Sequence, residues 1–203
     1  MANRTDTFNR TNGAAIGTPS DAGSAWIQQS GTWIISGSAG VGGTGAANES
    51  SGASQCTCVL ESSMADCDVQ LTSMGSGSGQ GICFRSTDDS NYLLLDLGTS
   101  TVQVYSRIAG SFATVGSSAS VTAGDQDIWK VTLSGNNITV FQNGTLRITT
   151  SSTFNNTATL HGLRTTSNNG LFYDNFSAVG AAAAFIAPLA FVHGQAVRRS
   201  NYY

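Results

Sequence analysis

GQGICFRSTDDSNYLLLDL, residues 79–97, decides the fold. A polar segment, Arg85 to Asn91, stands between two apolar runs. Strand periodicity turns Ile82 and Phe84 to one face of the first run and Cys83 and Arg85 to the other. In the second run Leu93 and Leu95 share one face, and Tyr92, Leu94 and Asp96 the opposite one. Asp88, Asp89, Ser90 and Asn91 tolerate unusual backbone angles and bond to the chain locally, so the middle reads as a hairpin turn. Asp88, Asp89 and Asn91 are also oxygen donors of the type calcium takes, and the tip therefore has two readings.

The same alternation recurs along most of the 203 residues. SAWIQQSGTWIISG gives two strands about a Ser30-Gly31 turn. The Gly/Ser/Ala-rich stretch from residue 37 to 55 reads as a loop with a short edge strand. CTCVLE and DCDVQLTS alternate, with Cys67, Val69 and Leu71 on one face. TVQVYSRI places Val102, Val104 and Ile108 inward and Gln103, Tyr105 and Arg107 outward. Asn143-Gly144 between ITVFQ and TLRIT is a type I′ hairpin signal, and Gly135-Asn136 is a second turn. Roughly a dozen short strands at this spacing, with almost no helical periodicity, predict an antiparallel sandwich or jelly roll.

Composition excludes several functions. Charged residues make up 10% of the chain and the net charge is −3, so there is no basic surface to neutralise phosphates and no nucleic-acid partner is expected. MANRTDTFNR has no apolar core of the kind a secretory signal needs, and the four cysteines are expected to be reduced and buried. After Ala178 the chain becomes apolar and Ala-rich, then basic and aromatic. Its apolar run is shorter than the ~20 residues of a membrane span and is interrupted by Pro188, so no span is expected. Residues 179–203 read as an arm that packs back on its own sandwich or docks on a neighbour through Phe185, Ile186, Leu189, Phe191, Tyr202 and Tyr203.

DTFNRTNGAAIG, SAWIQQSGTWIISG, the opening stretch, VQVYSRIAGSFATVGS, WKVTLSGNNITVFQNGTLRITT and GLFYDNFSAVG, in that order, resemble the concanavalin A-like lectin/glucanase superfamily. They resemble in particular the laminin-G-like jelly-roll modules of bacterial surface proteins and phage virions. The resemblance covers about residues 6–178. It implies two stacked antiparallel sheets, one concave, in which Trp26, Trp33 and the closing YDNF belong to the part that joins the two ends of the chain. It implies one domain over residues 1–178, with 179–203 outside it. Related jelly rolls often hold a structural calcium, for which Asp6 and Asp174, at the matched ends of the domain, are a second candidate pair.

The chemistry is sparse. Glucanases of this superfamily carry carboxylates on one strand face as nucleophile and acid/base. Asp66 and Asp68 share a face, but Gln70 follows where another acid is wanted, and Glu49 and Glu61 complete no such pattern. His161, in an alternating strand, reads as structural. The expectation is a protein that is not an enzyme and needs no cofactor, structural calcium aside. Arg85, Tyr92, Gln103, Tyr105 and Arg107 form an outward polar and aromatic set, read either as a glycan-binding face or as a solvated face with cross-strand pairs such as Arg85 with Asp96. The expected role is a virion accessory protein (capsid decoration, fibre or minor tail protein), assembled in the host cytoplasm, with other virion proteins or copies of itself as partners and weak glycan binding. The alternatives are a free carbohydrate-binding module, or a polysaccharide hydrolase or lyase.

Overall fold

The computed structural model describes residues 3–52, 54–75, 78–166 and 171–180, and the proposed docking residues from Phe185 to Tyr203 lie outside them. The described chain forms sixteen strands and one 3-10 turn, Val41–Gly43. One sheet has the order β14 (Thr145–Ser151), β13 (Asn137–Gln142), β12 (Asp127–Ser134), β6 (Asp68–Met74), β16 (Phe172–Val179), β4 (Ala46–Glu49) and β3 (Trp33–Ser36), with β1 (Arg4–Asp6) also on β16. The other has the order β10 (Ser111–Thr114), β9 (Thr101–Ile108), β8 (Asn91–Leu97), β7 (Gln80–Asp88), β15 (Leu160–Thr165), β5 (Cys56–Glu61) and β2 (Ile27–Gln28), with β11 (Ala119–Ser120) also on β9. Every pairing is antiparallel.

The period-2 pattern explains the layers. Val69 and Leu71 of β6, Ile82 and Phe84 of β7, Leu93 and Leu95 of β8, Val102 and Val104 of β9 and Trp129, Val131 and Leu133 of β12 meet in one buried core. The four cysteines are buried and unbridged, and burial pushes the Cys67 and Cys83 thiols up to about 12. The turns follow their chemistry too. Asn143 and Gly144 both take positive φ, 49° and 78°, as a type I′ hairpin demands.

The ends of the chain meet at β16. One edge of this strand pairs with β6, and the other is shared between β1 and β4. Trp26 packs on Phe8 and on Phe176, with ring centroids 5.7 and 4.9 Å apart, and Trp33 on Tyr173 at 6.0 Å. The two tryptophans thus tie the first fifth of the chain to the closing strand, as the resemblance implied.

The Ser30-Gly31 turn lies between two strands, β2 and β3, as expected, and because these lie in different sheets it passes from one layer to the other. Two local expectations are corrected. The Gly/Ser/Ala stretch supplies β4, which is interior, between β16 and β3, and wholly buried. Ile108 is 49% exposed, because β9 runs past the rim of the core after Ser106.

Candidate functional site: the outer face of the second sheet

The outer face of the second sheet is built from residues that alternate with the core. Register places Tyr92 opposite Arg107, Leu94 opposite Tyr105 and Asp96 opposite Gln103, with Phe112 of β10 beyond Arg107. On the other side Cys83 and Gly81 of β7 face Leu94 and Asp96, and Gly162 and Arg164 of β15 follow. Val59, Cys83, Tyr92 and Leu94 form a second buried cluster on this face, covered in part by Tyr105 and Leu160. A flat sheet would hold β15 and β10 about 19 Å apart over four strand spacings. Arg164 Cζ nevertheless lies 5.7 Å from the centroid of the Phe112 ring, so the face is concave and its β9–β10 hairpin curls inward.

The concavity holds a pocket of about 220 Å³ lined by Gln55, Leu94, Asp96, Tyr105, Phe112 and Arg164. Phe112 is 40% exposed and packs edge-on against Tyr92 and Tyr105, at 6.2 and 6.1 Å. Arg164 crosses over Gly81, where no side chain obstructs it, and its Nη1 donates to Asp96 Oδ1 over 3.0 Å. Its Nη2 donates to Gln55 Oε1. Burial raises the Asp96 carboxyl, and the Arg164 guanidinium opposes that shift. From the core side the Tyr173 hydroxyl donates to the Arg164 carbonyl and accepts the Gly81 N–H at 3.3 Å, which fixes the two strands that carry the crossing.

Of the five residues proposed from sequence, the structure brings only Tyr105 to the pocket lining. Tyr92 and Arg107 lie under Phe112, with Arg107 Cζ 5.3 Å from the Phe112 centroid and 5.6 Å from that of Tyr92. Arg107 donates to the Tyr92 hydroxyl and to the carbonyls of Asp89 and Gly110. Gln103 shares the face, but its amide braces the carbonyls of Val104, Val115 and Gly116.

Arg85 leaves the face altogether. The β7–β8 register shifts between Phe84 and Asp88, and Arg85 takes φ 50° at this bulge, which reverses its direction. Its guanidinium is buried and donates to Ala65 O, Gly135 O and Asp66 Oδ1. The expected Arg85–Asp96 pair is therefore replaced by two others, Arg85–Asp66 and Arg164–Asp96. Alternation alone would place Arg164 outward once Leu163 is inward. A bulge has no comparable mark in the sequence.

The acidic candidates are engaged in backbone and side-chain bonds. Asp88 accepts from Ser90 N and from the Asn91 amide, and Asp88 pairs with Asn91 across a two-residue turn. Asp89 accepts from the Ser90 hydroxyl. Asp6 accepts four hydrogen bonds, from Phe8 N, both terminal nitrogens of Arg10 and Trp26 Nε1. These fill the roughly four lone-pair sites of a carboxylate, and Arg10 supplies the cation. Asp174 accepts from Val41 N and Asn175 N. Among the described residues no three His, Cys, Asp or Glu side chains group as metal ligands.

His161 is structural, as its strand position suggests. It is fully buried, accepts from Arg85 N at Nδ1 and donates to Met64 O from Nε2. Desolvation lowers its pKa to about 4.

No family description and no curated protein sequence matches the chain. Among solved structures it is similar to the carbohydrate-binding module CBM66 from Bacillus subtilis, at 14% identity over 76% of this chain and 90% of that one, with TM-score 0.53. The carbohydrate esterase of the Shiga toxin-encoding bacteriophage phi24B gives 11% identity, 82% and 97% coverage and TM-score 0.49. The β-glucanase of Bacillus licheniformis gives 10%, 90% and 99% coverage and 0.48. The first of these, with the sheet topology, defines the class: a two-sheet antiparallel sandwich of the concanavalin A-like jelly-roll kind. Such a fold hosts many functions, so activity has to be argued from the pocket.

Proposed function

We propose that the protein is a non-catalytic glycan-binding module whose site is the concave outer face around Phe112, Tyr105, Arg164 and Asp96. One observation carries this reading: a half-exposed aromatic ring stands beside a paired acid and base in a shallow pocket. A sugar offers a C–H face to the ring and hydroxyls to the polar pair. The volume, about 220 Å³, is below the ~300–1,000 Å³ of sites that enclose drug-sized ligands, and suits one sugar unit of a longer chain. Among the described residues Asp96 is the single carboxylate lining it, whereas glycoside hydrolysis uses two. That supports binding over cleavage.

The test is a glycan array with wild type, Phe112→Ala and Tyr105→Ala. Binding by the wild type and its loss in Phe112→Ala, with the urea midpoint unchanged, is the expected result. Release of reducing ends from any bound polysaccharide would overturn the non-catalytic reading.

The wider setting we infer is a large assembly such as a phage virion. The supports are a Ser/Thr/Gly-rich sequence with 10% charged residues and an apolar segment after a finished sandwich. Such a module would gain affinity from many copies. Light scattering of the full chain and of a chain ending at Gly180 checks this, since the segment should be required for self-association or for attachment to a particle.

A further inference from the structure

We infer that the ligand of this pocket is an uncharged sugar recognised through two neighbouring hydroxyls, and that the Asp96–Arg164 pair determines this specificity. The inference rests on the glycan-binding reading above. The two side chains come from strands separated by β7, whose Gly81 lies between them in register. A Cβ at Gly81 would press on Leu94 Cδ1 and the Leu95 carbonyl oxygen, both at 2.6 Å. Pairing cancels the charge of Arg164, yet Asp96 Oδ1 alone takes the bond. Asp96 Oδ2 accepts no hydrogen bond within the described structure, and the Asp96 side chain is 34% exposed in the pocket. Arg164, by contrast, is nearly buried and its Nε has no partner. The pocket thus presents an ionised acceptor beside guanidinium donors. Each sugar hydroxyl both donates and accepts, so two adjacent hydroxyls satisfy this pair at once. A carboxylate or sulfate on the ligand would instead face Asp96. Arg107, the neighbouring cation, does not line the pocket, and its Nε and Nη1 donate to Gly110 O, Asp89 O and Tyr92 Oη.

The experiment probes the full chain on an array of neutral, uronic-acid and sialylated glycans at about 0.05 and 0.5 M salt, where screening differs severalfold. Neutral glycans should bind, with affinity changing less than about twofold between the two salts. Asp96→Asn keeps the side-chain shape and should lose about tenfold or more in affinity, since hydrogen bonds to charged groups carry that much. Periodate treatment and reduction of the bound glycan, which cleaves vicinal diols, should abolish binding. Preferential capture of acidic glycans, weakened by salt and strengthened by Asp96→Asn, would overturn this inference while leaving the pocket as the binding site. Binding of no glycan, or binding unaffected by Phe112→Ala, would instead defeat the site itself.

Discussion

Trp26 Nε1 donates to Asp6 Oδ2 over 2.7 Å, in a site closed to solvent by Phe8 and Phe176. This bond fastens the loop before β2 to the first strand, and through β1 to the last. Trp26→Phe keeps much of the ring packing but leaves one lone pair of a buried carboxylate unsatisfied. The expected loss is about 1–3 kcal/mol, read as a lower urea midpoint with unchanged slope.

The buried imidazole makes stability depend on pH. The folded pKa of His161, about 4, lies below the unfolded value of about 6.5. Above pH 6.5 both states are neutral and the stability is complete. As pH falls from 6.5 towards 4 the unfolded chain takes up a proton that the folded chain refuses, and stability drops by up to about 3 kcal/mol. Urea denaturation at pH 7, 6, 5 and 4.5 should show this slope. His161→Gln, which retains a donor and an acceptor, should flatten it.

Glycines at two positions should respond very differently to the same change. A Cβ at Gly162 would run into the Cys58 carbonyl oxygen and lie 2.7 Å from Val59 Cα, and neither backbone atom is free to move. Gly162→Ala is expected to cost more than about 3 kcal/mol and to appear as insoluble protein. Gly144 has open space around it and φ 78°, so Gly144→Ala pays only for the left-handed backbone, about 1–2 kcal/mol. Equal losses at both sites would contradict the tight packing at Gly162.

Arg85→Met should separate stability from binding. It leaves the Gly135 and Ala65 carbonyls without their donor and Asp66 without its cation. A loss of about 3 kcal/mol is expected. Glycan affinity of the folded protein, measured well below the melting point, should match wild type, because Arg85 is on the opposite side of the bulge from the pocket.

The layers were legible because they rest on a short-range rule. Alternation in Val102–Val104, Cys67–Leu71 and Ile82–Phe84 carries the core directly. The Asn143-Gly144 turn was legible for the same reason, since two adjacent residues specify its backbone. The pocket was only half legible. Tyr105 follows from alternation, but Phe112 and Arg164 meet through sheet curvature across four strand spacings, which no local pattern encodes. Arg85 sits where β7 bulges between Phe84 and Asp88 and takes φ 50°, which turns its side chain away from the face that alternation assigns, and the bulge leaves no trace in composition. The Gly/Ser/Ala stretch has few large apolar anchors and so resembles a loop, yet it supplies the interior strand β4.

The position of β16 has a consequence for how the chain is made. It is the last strand among the described residues, yet it lies inside its sheet and completes the pairing of both β1 and β6. A nascent chain therefore holds β1 without β16, its strand partner among the described residues, until the ribosome has passed Val179. Folding is dominated by contacts distant in sequence, and such topologies fold over milliseconds to seconds. The sandwich is thus sealed only after translation has passed Val179, and any shorter product exposes an unfinished sheet to chaperones and proteases.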